Sequence, residues 1–250
     1  MSADDYVRSV LAKYAVNVGG AESAGNVLYP IIQRWAGNAL VRAEFSGSLA
    51  KGTAVTLSTD ADIFISLSSS TPDTLENIYN TLCHAVASAG YPVKRQNVSV
   101  GTSVNGFKID LVPGRRQSAN GNDHSLWKDR SKTWTKTNIQ THIRLVSKSR
   151  RLEEIRAVKI WRNLHGLEFP SIYLELVVIE ALRNARVGNV ASNLSLVLEY
   201  LRDSLERVRF IDPANTNNII SDDLSLVQKQ TIGRQAGISR QMPNYKQVIW

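Results

Sequence analysis

Two hydrophobic rhythms divide the chain. Residues 4–17 and 23–37 carry apolar positions at helical spacing, with Gly19-Gly20 between them and Gly37-Asn38 as a stop. Val41–Phe45 reads as a short strand entering a Gly47-Ser48 turn, and Asp62–Leu67 reads as a second strand. Thr71-Pro72-Asp73 then opens a helix that runs to about Ala89. Asn97–Val104 alternates apolar and polar, Asn105-Gly106 is a favoured two-residue turn, and Phe107–Val112 alternates again, which predicts a hairpin ended by Pro113-Gly114. The polar, tryptophan-containing stretch 115–137 predicts no regular element, and from Asn138 the spacing is helical, with stops at Gly166 and Gly188 and breaks at Pro170 and Pro213. This pattern predicts an α+β domain with N-terminal helices over 1–137, followed by a helical domain over 138–250.

Composition narrows the function classes. The longest apolar run, LELVVIEAL, is broken by Glu175 and Glu180, so no segment reads as a membrane span. The first ten residues, MSADDYVRSV, are acidic and then mixed, unlike a secretory signal, and a cytoplasmic setting is expected. A single cysteine, Cys83, excludes an internal disulfide framework, and His84, His124, His142 and His165 show no metal-ligand spacing. Thirty basic residues against 22 acidic ones give a net charge of +8, which suits polyanionic partners such as nucleotides or RNA and equally suits a soluble protein with a basic surface. The basic residues fall in pairs (Lys94-Arg95, Arg115-Arg116, Arg150-Arg151), as discrete phosphate contacts would require.

Candidate chemistry begins in the stretch GSLAKGTAVTLSTDADIFISL, residues 47–67. In a strand, positions i and i+2 share a face, so Asp60 and Asp62 point one way while Ile63, Ile65 and Leu67 point the other. Like-charged carboxylates this close resist ionising unless a cation sits between them. In the hairpin, Phe107, Ile109 and Leu111 form one face, and Lys108, Asp110 and Val112 form the other. Three carboxylates converging on neighbouring strands suit a hard, oxygen-seeking cation, above all Mg²⁺. Two such ions about 3.5–4 Å apart clamp the attacking and leaving oxygens of a phosphoryl displacement. Upstream, Gly47 permits close backbone approach to a phosphate, Ser48 adds a hydroxyl donor, and Lys51 and Gly52 extend the loop.

In that order, GS…DAD…KIDLVP resembles the DNA-polymerase-β-like nucleotidyltransferase superfamily. The resemblance implies that Gly47 and Ser48 hold a nucleoside triphosphate and that Asp60, Asp62 and Asp110 hold two Mg²⁺ or Mn²⁺ ions. It further implies that Asp110 stands beside the acceptor hydroxyl. The stretch IRAVKIWRNLHGLEFPSIYLELVV, residues 155–178, resembles the helical domain shared by archaeal-type CCA-adding enzymes, oligoadenylate synthases and bacterial cyclic-oligonucleotide synthases. In that domain a helical lysine and a serine opening the next helix contact the triphosphate, which here are Lys159 and Ser171. By spacing alone Lys159 either snorkels to solvent or meets a buried anion, and Ser171 is equally a plain N-cap. Trp134, Thr137, Asn138 and His142 resemble a W-x-x-T-N-P-x-x-H segment of the same families, with Ile139 at the proline position. That match marks a linker and carries no catalytic role.

The implied activity is transfer of a nucleoside monophosphate from an NTP to an acceptor hydroxyl, with pyrophosphate leaving. Gly52-Thr53, DLVPGRR and WRNLHGLEFPSIYLELVV resemble the bacterial cyclic-oligonucleotide synthases, a resemblance that implies synthesis of a cyclic di- or oligonucleotide signal of the anti-phage type. The alternatives are an RNA 3′-end transferase of the CCA-adding type and a non-catalytic nucleotide- or RNA-binding module. The acceptor and the oligomeric state are not legible in the residues.

Overall fold

The computed structural model describes residues 1–58 and 60–250. The chain forms two compact units, each with its own core: one comprises 17–51 and 60–143, the other Met1–Val16, Gly52–Ser58 and Arg144–Trp250. The first helix and the seven residues after Lys51 thus belong with the helical unit, and the division falls after Ile143, whereas the sequence pattern suggested a single cut after residue 137.

In chain order, α1 (Ala3–Lys13) opens on a capping box in which Ser2 and Asp5 satisfy each other's backbone N–H. Helix α2 (Val18–Ala36) follows, and it runs straight through the expected break at Gly19-Gly20. The Asn17 side chain caps it by accepting from the Gly20 N–H, and a Cβ at Gly20 would stand 2.6 Å from the Phe107 ring. The glycine therefore serves close packing in the first turn of the helix rather than a bend.

Strand β1 (Leu40–Phe45), the short helix α3 (Gly47–Lys51) and β2 (Ala61–Leu67) lead into α4 (Leu75–Ser88), which Thr74 caps. Then come β3 (Lys94–Arg95), β4 (Val100–Val104), β5 (Phe107–Arg116), β6 (His124–Lys128) and β7 (Thr133–Thr137). The sheet runs β1-β2-β5-β4-β3, with β6 pairing the far end of β5 and β7 pairing β6. Among the described residues only β2 and β5 pair in parallel, joined by the crossover that contains α4. Ile63, Ile65, Ile109 and Leu111 form one face of this pair and pack with Leu28 and Ile32 of α2 and Leu82 and Val86 of α4. Each such buried side chain contributes about 1.5–3 kcal/mol. On the opposite face of β2, Phe64 meets the His124 ring edge-on, and the Ser66 hydroxyl bonds His124 Nε2 at 2.8 Å. With both faces covered, β2 reads as a nearly continuous apolar run interrupted only at Asp62 and Ser66.

Two local expectations change. Strand β5 continues past Pro113-Gly114 to Arg116, because β4 pairs only as far as Leu111 and β6 only from Arg115. Pro113 thus falls in the gap between two antiparallel neighbours, where its missing N–H interrupts neither ladder. Residues 115–137 contain the hairpin β6–β7, with Trp127 paired to Trp134. Its alternation was hidden because both faces carry polar residues.

The helical unit adds α5 (Ile139–Ser147), which begins in the sheet unit, then α6 (Leu152–Leu164), α7 (Ser171–Ala181) and α8 (Val190–Asp203). The two-stranded β8 (Ile211–Asp212) and β9 (Asn215–Ile219) precede α9 (Leu226–Arg240). Trp161, Tyr173, Leu174, Val177, Leu194, Leu198 and Leu201 are at most 1% exposed and centre its core. Gly166 and Gly188 both adopt positive φ, as helix stops do. No helix among the described residues is long and apolar enough to cross a membrane.

Candidate active site

The parallel pairing of β2 with β5 is in register at Asp62 and Asp110, so their side chains leave one face of the sheet from adjacent strands. Asp60 stands immediately before β2, exposed, two positions from Asp62. The alternation that carries Ile63, Ile65, Ile109 and Leu111 into the core is what sends Asp62 and Asp110 the other way.

Gly47 is built around Asp62. The Ser46 N–H donates to the Asp62 carbonyl at 2.8 Å, which ties the end of β1 to the start of β2. The chain then turns through Gly47 at φ +57°, and a Cβ there would lie 1.7 Å from Asp62 Oδ2. Only a residue with no side chain lets the backbone lie against that carboxylate. Ser48 occupies the first turn of α3 and is half-buried. A cavity of about 190 Å³ gathers Gly47, Lys51, Asp62, Thr137 and His142. Thr137 and His142 come from the linker segment to which the sequence assigned no chemistry. Only folding of the unpredicted hairpin brings them beside Asp62. Asn138 of the same segment donates to Asp123 at 2.8 Å, and its side-chain oxygen accepts the Thr141 N–H at the start of α5.

Asp110 lies in a second cavity, of about 260 Å³, with Asp60, Gln96, Lys94 and Lys108. Gln96 Nε2 donates to Asp110 Oδ1 at 2.7 Å and Ser99 Oγ donates to Oδ2 at 3.4 Å. Burial, and then the negative charge of Asp60, push the Asp110 carboxyl pKa above its ordinary value against these two hydrogen bonds. Gln96 is itself fixed, since its N–H and C=O both bond the Tyr79 hydroxyl. Gly101 makes room for it, because a Cβ there would stand 2.7 Å from Gln96 Nε2. The sequence could not single out Gln96 or Gly101, whose importance depends on a cross-strand contact.

Among the described residues, no three His, Cys, Asp or Glu side chains already surround one metal-sized point. Mg²⁺ seldom uses such a cage: it takes one or two carboxylates and completes its shell with water and substrate phosphate. The carboxyl groups here suit that habit, with Asp62 and Asp110 on paired strands and a partly desolvated Asp110 repelled by Asp60.

In the helical unit, Lys159 is 1% exposed. Its ammonium donates to Glu175 at 2.7 Å and to the Thr53 hydroxyl at 2.9 Å, and Thr53 donates to Glu175 at 3.0 Å. Lys159 therefore does not snorkel to solvent; it is buried against the Glu175 carboxylate. Removing one partner from such a pair costs about 3–5 kcal/mol. Lys159→Met is therefore expected to lower the melting temperature sharply in thermal denaturation, and adding Glu175→Gln is expected to recover most of the loss. Ser171 is exposed at the first position of α7 and accepts from Arg162 at 3.2 Å. Arg162 also donates to the Phe169 carbonyl at 2.7 Å, and its own burial lowers its pKa.

No protein-family model matches the chain, and no curated protein matches it in sequence. Solved structures do match it. A CdnC from E. coli MS115-1, determined with ATP, superposes with a TM-score of 0.80 at 20% identity, covering 96% of this chain and 90% of that one. The CD-NTase CdnG of Bradyrhizobium diazoefficiens, in complex with GTP, gives 0.80 at 14% identity, covering 95% and 89%. The Cid1 poly(U) polymerase, bound to MgATP, gives 0.73 at 12% identity, covering 98% and 97%. Likeness at these identities establishes the fold. It is the polymerase-β-like nucleotidyltransferase fold, α+β, with a mixed sheet and flanking helices followed by a helical domain.

Proposed function

We propose that this chain is a nucleotidyltransferase that moves a nucleoside monophosphate from an NTP to an acceptor hydroxyl, and that its product is a cyclic di- or oligonucleotide. The observation that carries the reading is the register of Asp62 against Asp110, with side-chain-free Gly47 laid against the Asp62 carboxylate. A helix cap or a solvated turn has no need of either. The fold it shares with a CdnC and a CdnG supports the choice of product.

In the proposed reaction the acceptor oxygen bonds to the α-phosphorus, the bridge to the β-phosphate breaks, and pyrophosphate departs with the bonding electrons. Asp110 would take up or position the acceptor's proton. Gln96 and Ser99 hold that carboxylate in place. Asp60, Asp62 and Asp110 would hold divalent cations, Mg²⁺ or Mn²⁺, which supply positive charge to the triphosphate oxygens. Gly47, Ser48 and Lys51, which belong to the short helix α3, form the segment offered to the triphosphate. Of the two residues of the helical unit, Ser171 is the better candidate for a triphosphate contact, since Lys159 is already paired with Glu175.

The second reading, transfer to an RNA 3′ end, is supported by the fold shared with a poly(U) polymerase and by the net charge of +8. Incubation with four α-labelled NTPs and Mg²⁺ without RNA, followed by phosphatase and chromatography, separates the two. The first reading predicts a phosphatase-resistant small product. Label appearing only after RNA is added would replace it with the second.

A further inference from the structure

The two side chains that hold the Asp110 carboxylate, Gln96 and Ser99, open and close one turn, residues 96–99, between β3 and β4. A single hydroxyl, that of Tyr79 on α4, fastens both ends of this turn. It accepts the Gln96 N–H at 3.0 Å, and its one proton is shared between the Gln96 carbonyl at 2.7 Å and the Ser99 carbonyl at 3.0 Å. The Gln96 N–H also reaches the Ser99 carbonyl at 3.0 Å, which closes the turn on itself. Tyr79 is fully buried in the core of the sheet unit, and burial pushes its pKa up to about 12, so the hydroxyl keeps the proton it donates. The Arg95 guanidinium lies 4.8 Å from the centre of its ring and is itself held by two hydrogen bonds to Asp129, at 2.9 and 3.1 Å. The tip of the turn is fastened separately: the Asn97 carbonyl accepts the Asp129 N–H at 2.7 Å, and its side-chain oxygen accepts the Arg130 N–H at 3.2 Å. The turn is thus held by α4 at its mouth and by the β6–β7 hairpin at its tip.

We infer that Tyr79 is a positioning residue for nucleotidyl transfer: its hydroxyl sets the 96–99 turn, and the turn aims the Asp110 carboxylate. The inference rests on the nucleotidyl-transfer reading and adds to it a buried residue that meets neither the carboxylates nor solvent. Gln96 donates to Oδ1 and Ser99 to Oδ2, so the two donors together fix the plane of the carboxylate. Each donor is placed by a backbone group bonded to Tyr79, and loss of that hydroxyl releases both at once. The Tyr79 ring needs only its apolar neighbours, so Tyr79→Phe separates the hydroxyl from the packing.

The test measures pyrophosphate release from the four NTPs with Mg²⁺ and RNA, well below the melting temperature. Beside it stands the carboxyl ¹³C resonance of Asp110 in the metal-free protein, assigned with Asp110→Asn. Tyr79→Phe is expected to lower kcat by about tenfold or more, toward the roughly hundredfold that an ångström of misplacement costs, and to leave KM for the NTP within about twofold. Its Asp110 resonance is expected to move. In a Gln96→Ala/Ser99→Ala background, which removes both donors, adding Tyr79→Phe is expected to change kcat no further. Thr81→Val deletes another α4 hydroxyl, the one that accepts from Trp35, and is expected to keep the parent's kcat and resonance whatever stability it loses. Should Tyr79→Phe not fold, Gly101→Ala carries the test: its Cβ would lie 2.7 Å from Gln96 Nε2, displacing that amide with Tyr79 in place, and kcat is expected to fall in the same way. Four results would overturn the inference alone: the parent's kcat in Tyr79→Phe, a fall in its kcat with the Asp110 resonance unmoved, a further fall in the double-alanine background, or the parent's kcat in Gly101→Ala. No release by the parent would overturn the nucleotidyl-transfer reading and the inference with it.

Discussion

Gly47→Ala is expected to abolish NTP turnover while leaving most of the fold intact. The new methyl would sit 1.7 Å from Asp62 Oδ2 and 2.5 Å from the Asp62 carboxyl carbon, far inside any contact distance. The alanine would also have to hold φ +57°, which costs an L-residue roughly 1–2 kcal/mol. Two routes relieve the clash: the Asp62 side chain rotates away, or the Ser46–Lys51 loop lifts from β2. Either separates the proposed triphosphate loop from the carboxylate, and misplacing a catalytic group by an ångström costs about a hundredfold in rate. Steady-state pyrophosphate release measures the rate, and circular dichroism checks the fold. Serine at this position should fail as alanine does, because the obstruction begins at Cβ. Turnover within a few-fold of the parent would show that the close approach has no catalytic purpose.

Asp110→Asn is expected to lose turnover and gain stability. Folding raises the pKa of the Asp110 carboxyl, chiefly by burial and then by the charge of Asp60. The folded protein therefore holds that proton more tightly than the unfolded chain, whose aspartate pKa is about 3.9. The stabilising contribution is fully present below that value and is lost as pH rises through the folded pKa, beyond which the ionised group opposes folding. Asparagine has no charge to bury and still accepts from Gln96. In metal-free protein the variant should melt higher than the parent at pH 7, and the two should converge below about pH 4. Each 1 kcal/mol relieved corresponds to about 2–4 °C for a protein of this size. Mg²⁺ with an NTP should reverse the order, since a ligand present at 100 times its Kd stabilises by about 2.7 kcal/mol and the variant lacks a ligand oxygen charge. A variant that melts below the parent in metal-free buffer at pH 7 would contradict this account of Asp110.

The sequence made the carboxylates legible because strand alternation is a local signal. Once Ile63 and Ile65, and Ile109 and Leu111, are assigned to the core, Asp62 and Asp110 can point only the other way. Gly47-Ser48 was legible by its place in the motif, although the reason for the glycine appears only when the Asp62 carboxylate is seen beside it. The β6–β7 hairpin was not legible: Trp127 and Trp134 stand among polar residues on both faces, so alternation gives no contrast. With the hairpin went the place of Thr137 and His142 beside Asp62. Helical phase put Lys159 on the apolar side of its helix but left open whether it reached solvent or a buried anion, and gave no partner. Glu175 sits sixteen residues on and Thr53 lies more than a hundred residues back, and no periodicity links them. Gln96 belongs to the same class of omission, since it acquires meaning only through β3, β4 and the gap left by Gly101.

The most direct test of the nucleotidyl-transfer account compares the parent with Asp62→Asn in one assay of Mg²⁺-dependent pyrophosphate release from the four NTPs, alone and with RNA added. The account predicts release by the parent, its loss on chelation, and no release by a variant whose circular dichroism and melting cooperativity match the parent. Equal release by both proteins would place the chemistry away from the β2–β5 carboxylates and contradict the account.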